Sequence, residues 1–331
     1  MQKINFTAVT AVCFLLLPPV SNADVESQSD YENASVHPII GGEIVTDSVF
    51  PGIVALTYNL DAELVQRQFC GGSVIADNWV LTAAHCLYDG RGDPLPLTAV
   101  NVAVNADDLG DEDTREIGIT NIFVHPEYNH NAVNPHSDIA LLELAESSGV
   151  APVVLSKKPM DELVGMTASV AGWGAVDNSN PSNPLFPIML HAVNLPVVSL
   201  EVCNAPISYD SALFENQLCA GFSEGGRDSC VGDSGGPLLV NTGGVRQQIG
   251  VVSFGYGCAL PNYYGIYTNV PYFIGWINQY VYIGEPEFNP EATIPRTAQA
   301  NIPASGEPNT GRLSWTVLLL LMIGAMAKRR R

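Results

Sequence analysis

The sequence predicts an all-β fold, and three observations support this. Between Phe50 and Val281, short apolar or alternating runs recur along the chain. Clusters of Gly, Pro, Asn and Asp separate these runs, as turns separate strands. No helical pattern alternates with them, which argues against a parallel sheet, and their regular spacing favours a barrel or a sandwich.

Eight of these runs have the length and composition of strands. In chain order they are Ile53–Tyr58, Gly72–Ile75, Trp79–Thr82, Val100–Val104, Ile117–Val124, Ile139–Leu144, Thr167–Trp173 and Val193–Val198. The segment Tyr272–Val281 instead carries apolar residues at a spacing that is compatible with a helix. We therefore expect one helix after the β-rich region.

The first 38 residues have the features of export and processing segments. Residues 1–23 combine Lys3, an apolar run at Ala8–Leu17 and a small-residue cleavage site that ends at Ala23, a pattern that predicts a secretory signal peptide. Residues 24–38 are acidic and poor in apolar residues, which predicts a disordered pro-segment. We therefore expect a secreted protein.

The last residues form two further segments. Residues 284–312 are rich in Pro, Glu, Asn, Thr and Ala and predict a disordered linker. Residues 313–331 hold the apolar run Leu313–Ala327 followed by four basic residues. As a helix, this run would span about 22 Å, whereas the hydrocarbon core of a membrane is roughly 30 Å thick.

The layout of this tail resembles the C-terminal sorting tails of exported bacterial proteins, which are processing signals. A plain membrane anchor, with the basic end held at the cytoplasmic surface, remains an equal alternative. A glycolipid-anchor signal is less favoured because such a tail ends in apolar residues. Either leading interpretation predicts a protein at the cell surface, with the membrane as a partner.

The net charge excludes one class of partner. The chain has 14 Lys and Arg against 34 Asp and Glu, a formal charge of −20. A nucleic-acid partner is not expected, because binding to phosphates requires a basic surface. The acidic run Asp107–Asp113 is interpreted as a solvated charge run; a calcium site is the weaker alternative, because the spacing of the acids matches no known loop.

The cysteine count predicts disulfides. Of the seven cysteines, Cys13 leaves with the signal peptide, and six is an even number in an exported chain. A zinc site would need closely spaced pairs such as C-x-x-C, which the sequence does not contain. We expect neither a metal nor a cofactor.

Three short stretches together indicate acyl-transfer chemistry. Gly232–Pro237 is a glycine-punctuated turn around Ser234, and a serine nucleophile needs a base and N–H donors for the oxyanion. His85, in Leu81–Cys86, offers the base. Asp138, which Ile139 and Ala140 follow, offers a carboxylate to orient that base.

These stretches, in the order His, Asp, Ser, resemble those of the chymotrypsin/trypsin family of serine endopeptidases. The resemblance extends over residues 39–283. It implies two six-stranded antiparallel β-barrels with a C-terminal helix, and a catalytic site in the cleft between the barrels. It also implies the disulfides Cys70–Cys86, Cys203–Cys219 and Cys230–Cys258.

The resemblance assigns a role to each catalytic residue. Ser234 is the nucleophile, His85 moves the proton, and Asp138 orients and stabilises the histidine. The N–H groups of Gly232 and Ser234 form the oxyanion hole, and Ser253 supports Asp138. The four other histidines of the mature chain are expected to be loop or surface residues: His125, His130, His136 and His191.

The resemblance also predicts specificity for lysine and arginine. Asp228 would lie at the bottom of the specificity pocket, where its carboxylate would pair with a substrate cation. The other predicted pocket residues are Ser229, Ser253, Gly255 and Gly265. Phe254 stands where tryptophan is common in the family, and this change should leave backbone pairing with the substrate intact. The expected partners are peptide substrates with Lys or Arg before the scissile bond.

Activation is where the sequence departs from the family. A cut before Ile39 would release an amino terminus that pairs with Asp233 and forms the oxyanion hole and the pocket. The preceding residue is Pro38 rather than Lys or Arg, so a trypsin-like enzyme should not cut there. We expect a different activating protease, or trimming after an upstream cut. If the bond is never cut, the alternative is a latent binding or adhesion protein at the cell surface.

Overall fold

The computed structural model describes residues 38–45, 50, 52–132, 134–176 and 184–282. The predicted signal peptide, nearly all of the pro-segment, the linker and the tail lie outside these residues and stay predictions. Within the described ranges, no helix is both long and apolar enough to cross a membrane.

The described residues form fourteen strands. In chain order they are β1 (Glu43–Ile44), β2 (Ile53–Tyr58), β3 (Gln68–Ala76), β4 (Trp79–Thr82), β5 (Val100–Val104), β6 (Arg115–Val124), β7 (Ala140–Leu144), β8 (Val154–Leu155), β9 (Thr167–Gly172), β10 (His191–Val198), β11 (Gln217–Ala220), β12 (Pro237–Thr242), β13 (Val245–Phe254) and β14 (Gly265–Asn269). Short helical turns lie between them at Leu64–Arg67, Ala84–Leu87, Leu97–Ala99, Met160–Leu163 and Leu200–Cys203.

Six strands close into a first barrel in the order β2-β3-β4-β7-β6-β5. The ring closes because β5 pairs antiparallel with β2, with Ala55 opposite Ala103. Leu56, Leu81 and Leu142 are fully buried in the core of this barrel. In β7 the neighbouring residues Leu141 and Leu142 are both buried, so this part of the strand is a continuous apolar run instead of a polar alternation.

Six further strands close into a second barrel. The path β9-β10-β11-β14-β13-β12 returns to β9, because β12 pairs antiparallel with β9, with Leu238 opposite Val170. Strand β1 pairs with β10, and β8 pairs parallel with β13. The predicted architecture of two six-stranded antiparallel barrels is therefore confirmed.

Strand β2 explains how the barrels pack together. Val54 and Leu56 belong to the core of the first barrel, whereas Ile53 and Ala55 belong to a separate cluster with Trp173 of the second half of the chain. Both faces of the strand are therefore buried, and the sequence IVALTY carries no polar alternation. A continuous apolar run is what burial on two faces requires.

The C-terminal helix runs over Val270–Ile277, earlier than the predicted Tyr272–Val281. Pro271 occupies its first turn, where a missing N–H costs nothing, and the helix ends before Asn278. Its buried residues join the core of the first barrel and are Val270, Phe273, Trp276 and Ile277. The helix at the end of the chain thus covers the barrel formed by the first half.

Candidate active site

His85 lies in the turn Ala84–Leu87, directly after β4. The predicted disulfide Cys70–Cys86 is present and ties this turn to β3. Ala84 and Leu87 are fully buried in the first barrel, so the turn is anchored on both sides of the histidine. The imidazole is therefore held at the barrel surface by a covalent link and by packing.

Asp138 lies two residues before β7, and its carboxylate is almost fully buried. The preceding Ser137 has a positive φ of 54°, a conformation that non-glycine residues seldom adopt. Oδ2 of Asp138 lies 2.7 Å from Nδ1 of His85, and Oδ1 accepts a hydrogen bond of 2.9 Å from the His85 N–H. The backbone and the side chain of the histidine are thus fixed by one carboxylate.

Two residues of the second barrel also bind Asp138. Ser253 Oγ donates to Oδ2 at 2.5 Å, and Thr268 Oγ1 donates to the Asp138 carbonyl at 2.7 Å. The predicted support from Ser253 is therefore present in the geometry. The contact from Thr268 was not predicted, because a threonine inside an apolar strand carries no motif.

The electrostatics of this pair favour a charged histidine beside a charged aspartate. Burial opposes the charge on His85, but the Asp138 carboxylate and its hydrogen bond outweigh burial and raise the pKa of His85. Burial likewise opposes the charge on Asp138, yet His85, the hydrogen bond from Ser253 and the His85 N–H together lower the pKa of Asp138. Such a carboxylate stabilises an imidazolium that forms during proton transfer.

Ser234 is held by β3, the strand that the Cys70–Cys86 disulfide ties to the histidine turn. Its carbonyl accepts a hydrogen bond of 2.7 Å from the Gly71 N–H of β3. The next residue, Gly235, packs so closely on Thr82 and Ala83 that a Cβ there would overlap them. The serine loop, which we define as Gly232–Pro237, therefore contacts the segment just before His85.

The hydrogen bonds of the described residues include none between Ser234 Oγ and His85. Catalytic hydrogen bonds of this kind are often long until a substrate is bound. Among the described residues, no hydrogen bond is donated by the N–H groups of Gly232 and Ser234, the two predicted oxyanion donors.

Gly232 occupies a site that only glycine tolerates. Its φ is +99°, and a Cβ would lie 3.0 Å from Gly174 Cα and 3.1 Å from a ring carbon of Phe186. Its carbonyl accepts a hydrogen bond of 2.8 Å from Nε2 of Gln68. Sequence reasoning missed Gln68, because a single glutamine two residues before a cysteine is not a recognisable motif.

A cavity of about 290 Å³ opens beside Ser234. The five predicted pocket residues all line it: Asp228, Ser229, Ser253, Gly255 and Gly265. The Cys230–Cys258 disulfide also lines the cavity and joins its two walls. A Cβ on Gly265 would lie 2.7 Å from Asp228 Oδ1, so glycine is needed there for the carboxylate to face the cavity.

Asp228 is only 4% exposed and is incompletely hydrogen-bonded. Oδ2 accepts from the Ala259 N–H at 3.1 Å, whereas the buried Oδ1 has no partner among the described residues. Burial raises the pKa of Asp228 to about 7. In general, a carboxylate that is buried in this way is stabilised by a cation or by hydrogen bonds.

Ile39 is fully buried in the core of the second barrel, although its backbone has a positive φ of 40°. Asp233 is also buried, and its carboxylate accepts only two backbone hydrogen bonds among the described residues, from the Gly174 and Cys230 N–H groups, each of 2.8 Å. Burial raises the pKa of Asp233 to about 6. Within the described part of the chain, no cation pairs with this carboxylate, and a buried charge is costly without one.

Within the described ranges, the only group of three or more possible metal ligands is Cys70, His85 and Cys86. Both cysteines are in a disulfide and cannot serve as thiolate ligands. In the acidic run, Asp108 and Asp111 accept hydrogen bonds from N–H groups of their own loop, those of Gly110 and Asp113.

One prediction about the histidines was wrong. His191 is not a surface residue: it lies in β10, is only 2% exposed, and its Nδ1 is 2.6 Å from the Met189 carbonyl. Burial lowers the pKa of His191, so it stays neutral. Its burial depends on strand pairing across the barrel, which the local sequence does not reveal.

Comparisons with known proteins agree with this geometry. A family model described as Trypsin matches residues 39–277. A protein described as Trypsin from Phaedon cochleariae is 34% identical over 281 residues, an alignment that covers 83% of this chain and 98% of that protein.

Proposed function

The chain belongs to the trypsin family and is a trypsin-like serine endopeptidase, and we propose that it cleaves peptide bonds after lysine or arginine. We further propose that it is made as a zymogen and is secreted by means of the signal peptide at residues 1–23. The tail at residues 313–331 is proposed to associate the protein with the cell surface, either as a retained anchor or as a sorting signal that is removed.

The proposed mechanism uses an acyl-enzyme intermediate. Ser234 Oγ attacks the substrate carbonyl while His85 takes its proton, and His85 then returns the proton to the leaving amine. Asp138 stabilises the charged histidine. The N–H groups of Gly232 and Ser234 would bind the oxyanion, and each such donor typically lowers the barrier by roughly 3 kcal/mol.

One observation carries the proposed specificity. Asp228 Oδ1 is buried without a donor at the wall of the cavity beside Ser234. A lysine or arginine side chain in this cavity would supply the missing partner. Because charges interact strongly where little water screens them, a cationic side chain should be preferred there over an aromatic one.

The proposed activation rests on Asp233. Cutting the Pro38–Ile39 bond would create an ammonium group on Ile39, whose side chain is already buried in the second barrel. Such a group would give Asp233 the cation that it lacks. Because the bond follows proline, the activating protease is proposed to be a different enzyme from this one.

The experiment takes the secreted or surface-extracted protein and determines its amino terminus by mass spectrometry. The same sample is tested on short arginine and phenylalanine esters, with Ser234→Ala as the control. We expect Ile39 at the terminus and arginine ester hydrolysis that requires Ser234. An uncut Pro38–Ile39 bond together with no turnover would instead support the latent binding protein. Turnover by a species that begins well before Ile39 would reject the activation step alone.

A further inference from the structure

Gln68 joins the two barrels at the serine loop. It is the first residue of β3 in the first barrel, and its Nε2 donates to the Gly232 carbonyl at 2.8 Å and to the Cys70 carbonyl at 3.1 Å. A glutamine amide has two donor hydrogens, so these two contacts use both. The amide therefore links a strand of one barrel to the predicted oxyanion glycine of the other.

The position of Gln68 is fixed from both sides along the chain. The preceding Arg67 is buried, donates to the Tyr58 and Ala62 carbonyls, and forms a two-pronged ion pair with Glu116. Two residues later, Cys70 is held by its disulfide to the histidine turn. A donor whose backbone is anchored in this way can hold a loop in one orientation.

Each of three consecutive carbonyls of the serine loop accepts a hydrogen bond. Gln68 binds the Gly232 carbonyl, the Gly236 N–H binds that of Asp233, and the Gly71 N–H binds that of Ser234. Two of these three donors come from β3, and Gln68 is the only one of the three that is a side chain.

We propose that Gln68 is a positioning residue for the oxyanion hole. Its hydrogen bond holds the peptide plane that follows Gly232, and a hydrogen bond of 2.7 Å from the Ala175 N–H to the Val231 carbonyl holds the plane that carries the Gly232 N–H. Together these constraints set the direction of the Gly232 N–H. The inference rests on the proposed function, because it gives Gln68 a role in binding the oxyanion of that reaction.

The test compares Gln68→Met with the wild-type enzyme. Methionine has a similar length but donates no hydrogen bond. Gln248→Met is the matched control, because the Gln248 side chain of the second barrel also bonds across to β3, where it accepts from Ser73 Oγ at 2.7 Å. Its other side-chain hydrogen bond among the described residues goes to the Gly250 carbonyl and not to the serine loop. If Gln68→Met does not fold, Gln68→Glu replaces it, since an ionised carboxylate also lacks the donor.

Two inhibitors separate positioning from general damage. A peptide arginine aldehyde forms a tetrahedral adduct with Ser234 and places its oxygen in the hole, whereas benzamidine occupies only the Asp228 pocket. We expect kcat and the affinity for the aldehyde to fall about tenfold in Gln68→Met, less than the loss caused by removing an oxyanion donor itself. KM and the affinity for benzamidine should not change.

The inference is overturned if kcat and aldehyde affinity stay at the wild-type level, or if benzamidine affinity falls equally. It is also overturned if Gln248→Met reproduces the loss, since the effect would then be general to the barrel interface. If the wild-type enzyme shows no turnover that depends on Ser234, the proposed function itself fails and takes the inference with it.

Discussion

Ser253 of the second barrel donates a hydrogen bond of 2.5 Å to Asp138 of the first, at the same Oδ2 atom that lies 2.7 Å from His85 Nδ1. The orientation of the histidine therefore depends on how the two barrels are placed. Because Asp138 is buried, each hydrogen bond to its carboxylate also offsets the cost of removing that charge from water.

Replacing Ser253 with alanine should weaken the support of Asp138. A hydrogen bond to a charged group contributes about 1.5–3 kcal/mol, so we expect kcat for an arginine ester to fall by roughly 10- to 150-fold with little change in KM. Ser169→Ala is the control. Among the described residues, the only side-chain hydrogen bond of Ser169 is an exposed one that its Oγ donates to Asn194 Oδ1, between β9 and β10. Equal kcat values for Ser253→Ala and Ser169→Ala would contradict the proposed role of Ser253.

Asp228→Asn should change specificity rather than remove catalysis. A charge pair at 4 Å contributes about 4 kcal/mol at a partly screened site, so kcat/KM for an arginine ester should fall by about a thousandfold. The value for a phenylalanine ester should not fall. Glu224→Gln removes an exposed carboxylate from the same loop and should affect neither ester. A similar loss for both esters in Asp228→Asn would show that Asp228 maintains the site instead of selecting the substrate.

The pKa of Asp228, raised to about 7, predicts a pH dependence of binding. Below pH 7 the Asp228 carboxyl group of the empty pocket is mostly protonated and neutral, and above pH 7 it is mostly charged. KM for an arginine ester should therefore rise as the pH falls from 8 to 6, while KM for a phenylalanine ester should stay level. Changes in kcat with pH report His85 and are analysed separately. An arginine KM that is constant over this range would contradict a titrating pocket.

The pKa of Asp233 predicts that stability depends on pH differently before and after the cut. In the uncut chain its pKa is raised to about 6, above its unfolded value, so its contribution to stability is complete below about pH 4 and is lost as the pH rises through 6. A cation on Ile39 would lower this pKa and remove the loss. Thermal unfolding of both forms is measured from pH 4 to pH 8, with Ser234→Ala in each to prevent self-digestion. As the pH rises, the Tm of the uncut form should fall relative to that of the cut form.

The control for this experiment is Asp233→Asn, which cannot ionise. In the uncut chain the difference in Tm between Asp233→Asn and the parent should grow as the pH rises from 4 to 7. This difference isolates Asp233 from Asp228, which titrates in a similar range. If the uncut and cut forms have the same pH dependence, the proposed pairing of Ile39 with Asp233 is rejected.

The sequence predicted the parts of the site that are local. His85, Asp138 and Ser234 each lie in a short stretch whose residue types serve one chemical purpose, and the structure brings His85 to Asp138 and the serine loop to the histidine segment. The family pattern also pointed to Asp228, Gly255 and Gly265, which line the cavity beside Ser234, and their role in specificity stays a prediction.

The features that sequence reasoning missed depend on tertiary contacts. Gln68 and Thr268 form hydrogen bonds across the barrel interface, and no local sequence motif marks either residue. Strands β11 to β14 were not among the predicted runs. The first has only four residues, β12 begins at Pro237, β14 begins at Gly265, and β13 is interrupted by Gln247, Gln248 and Gly250. Their polar residues are accommodated by hydrogen bonds inside the fold, such as that of Gln248 with Ser73.

Ser234 is proposed to form an acyl-enzyme with substrates that carry a cationic side chain. The most direct measurement treats the cut enzyme with a guanidinobenzoate ester, which acylates quickly and deacylates slowly, and locates the adduct by mass spectrometry of peptides. We expect one guanidinobenzoyl group on Ser234 of the wild-type enzyme and none on the Asp228→Asn variant under the same conditions. An unmodified Ser234, or an adduct on another residue, would contradict this proposal.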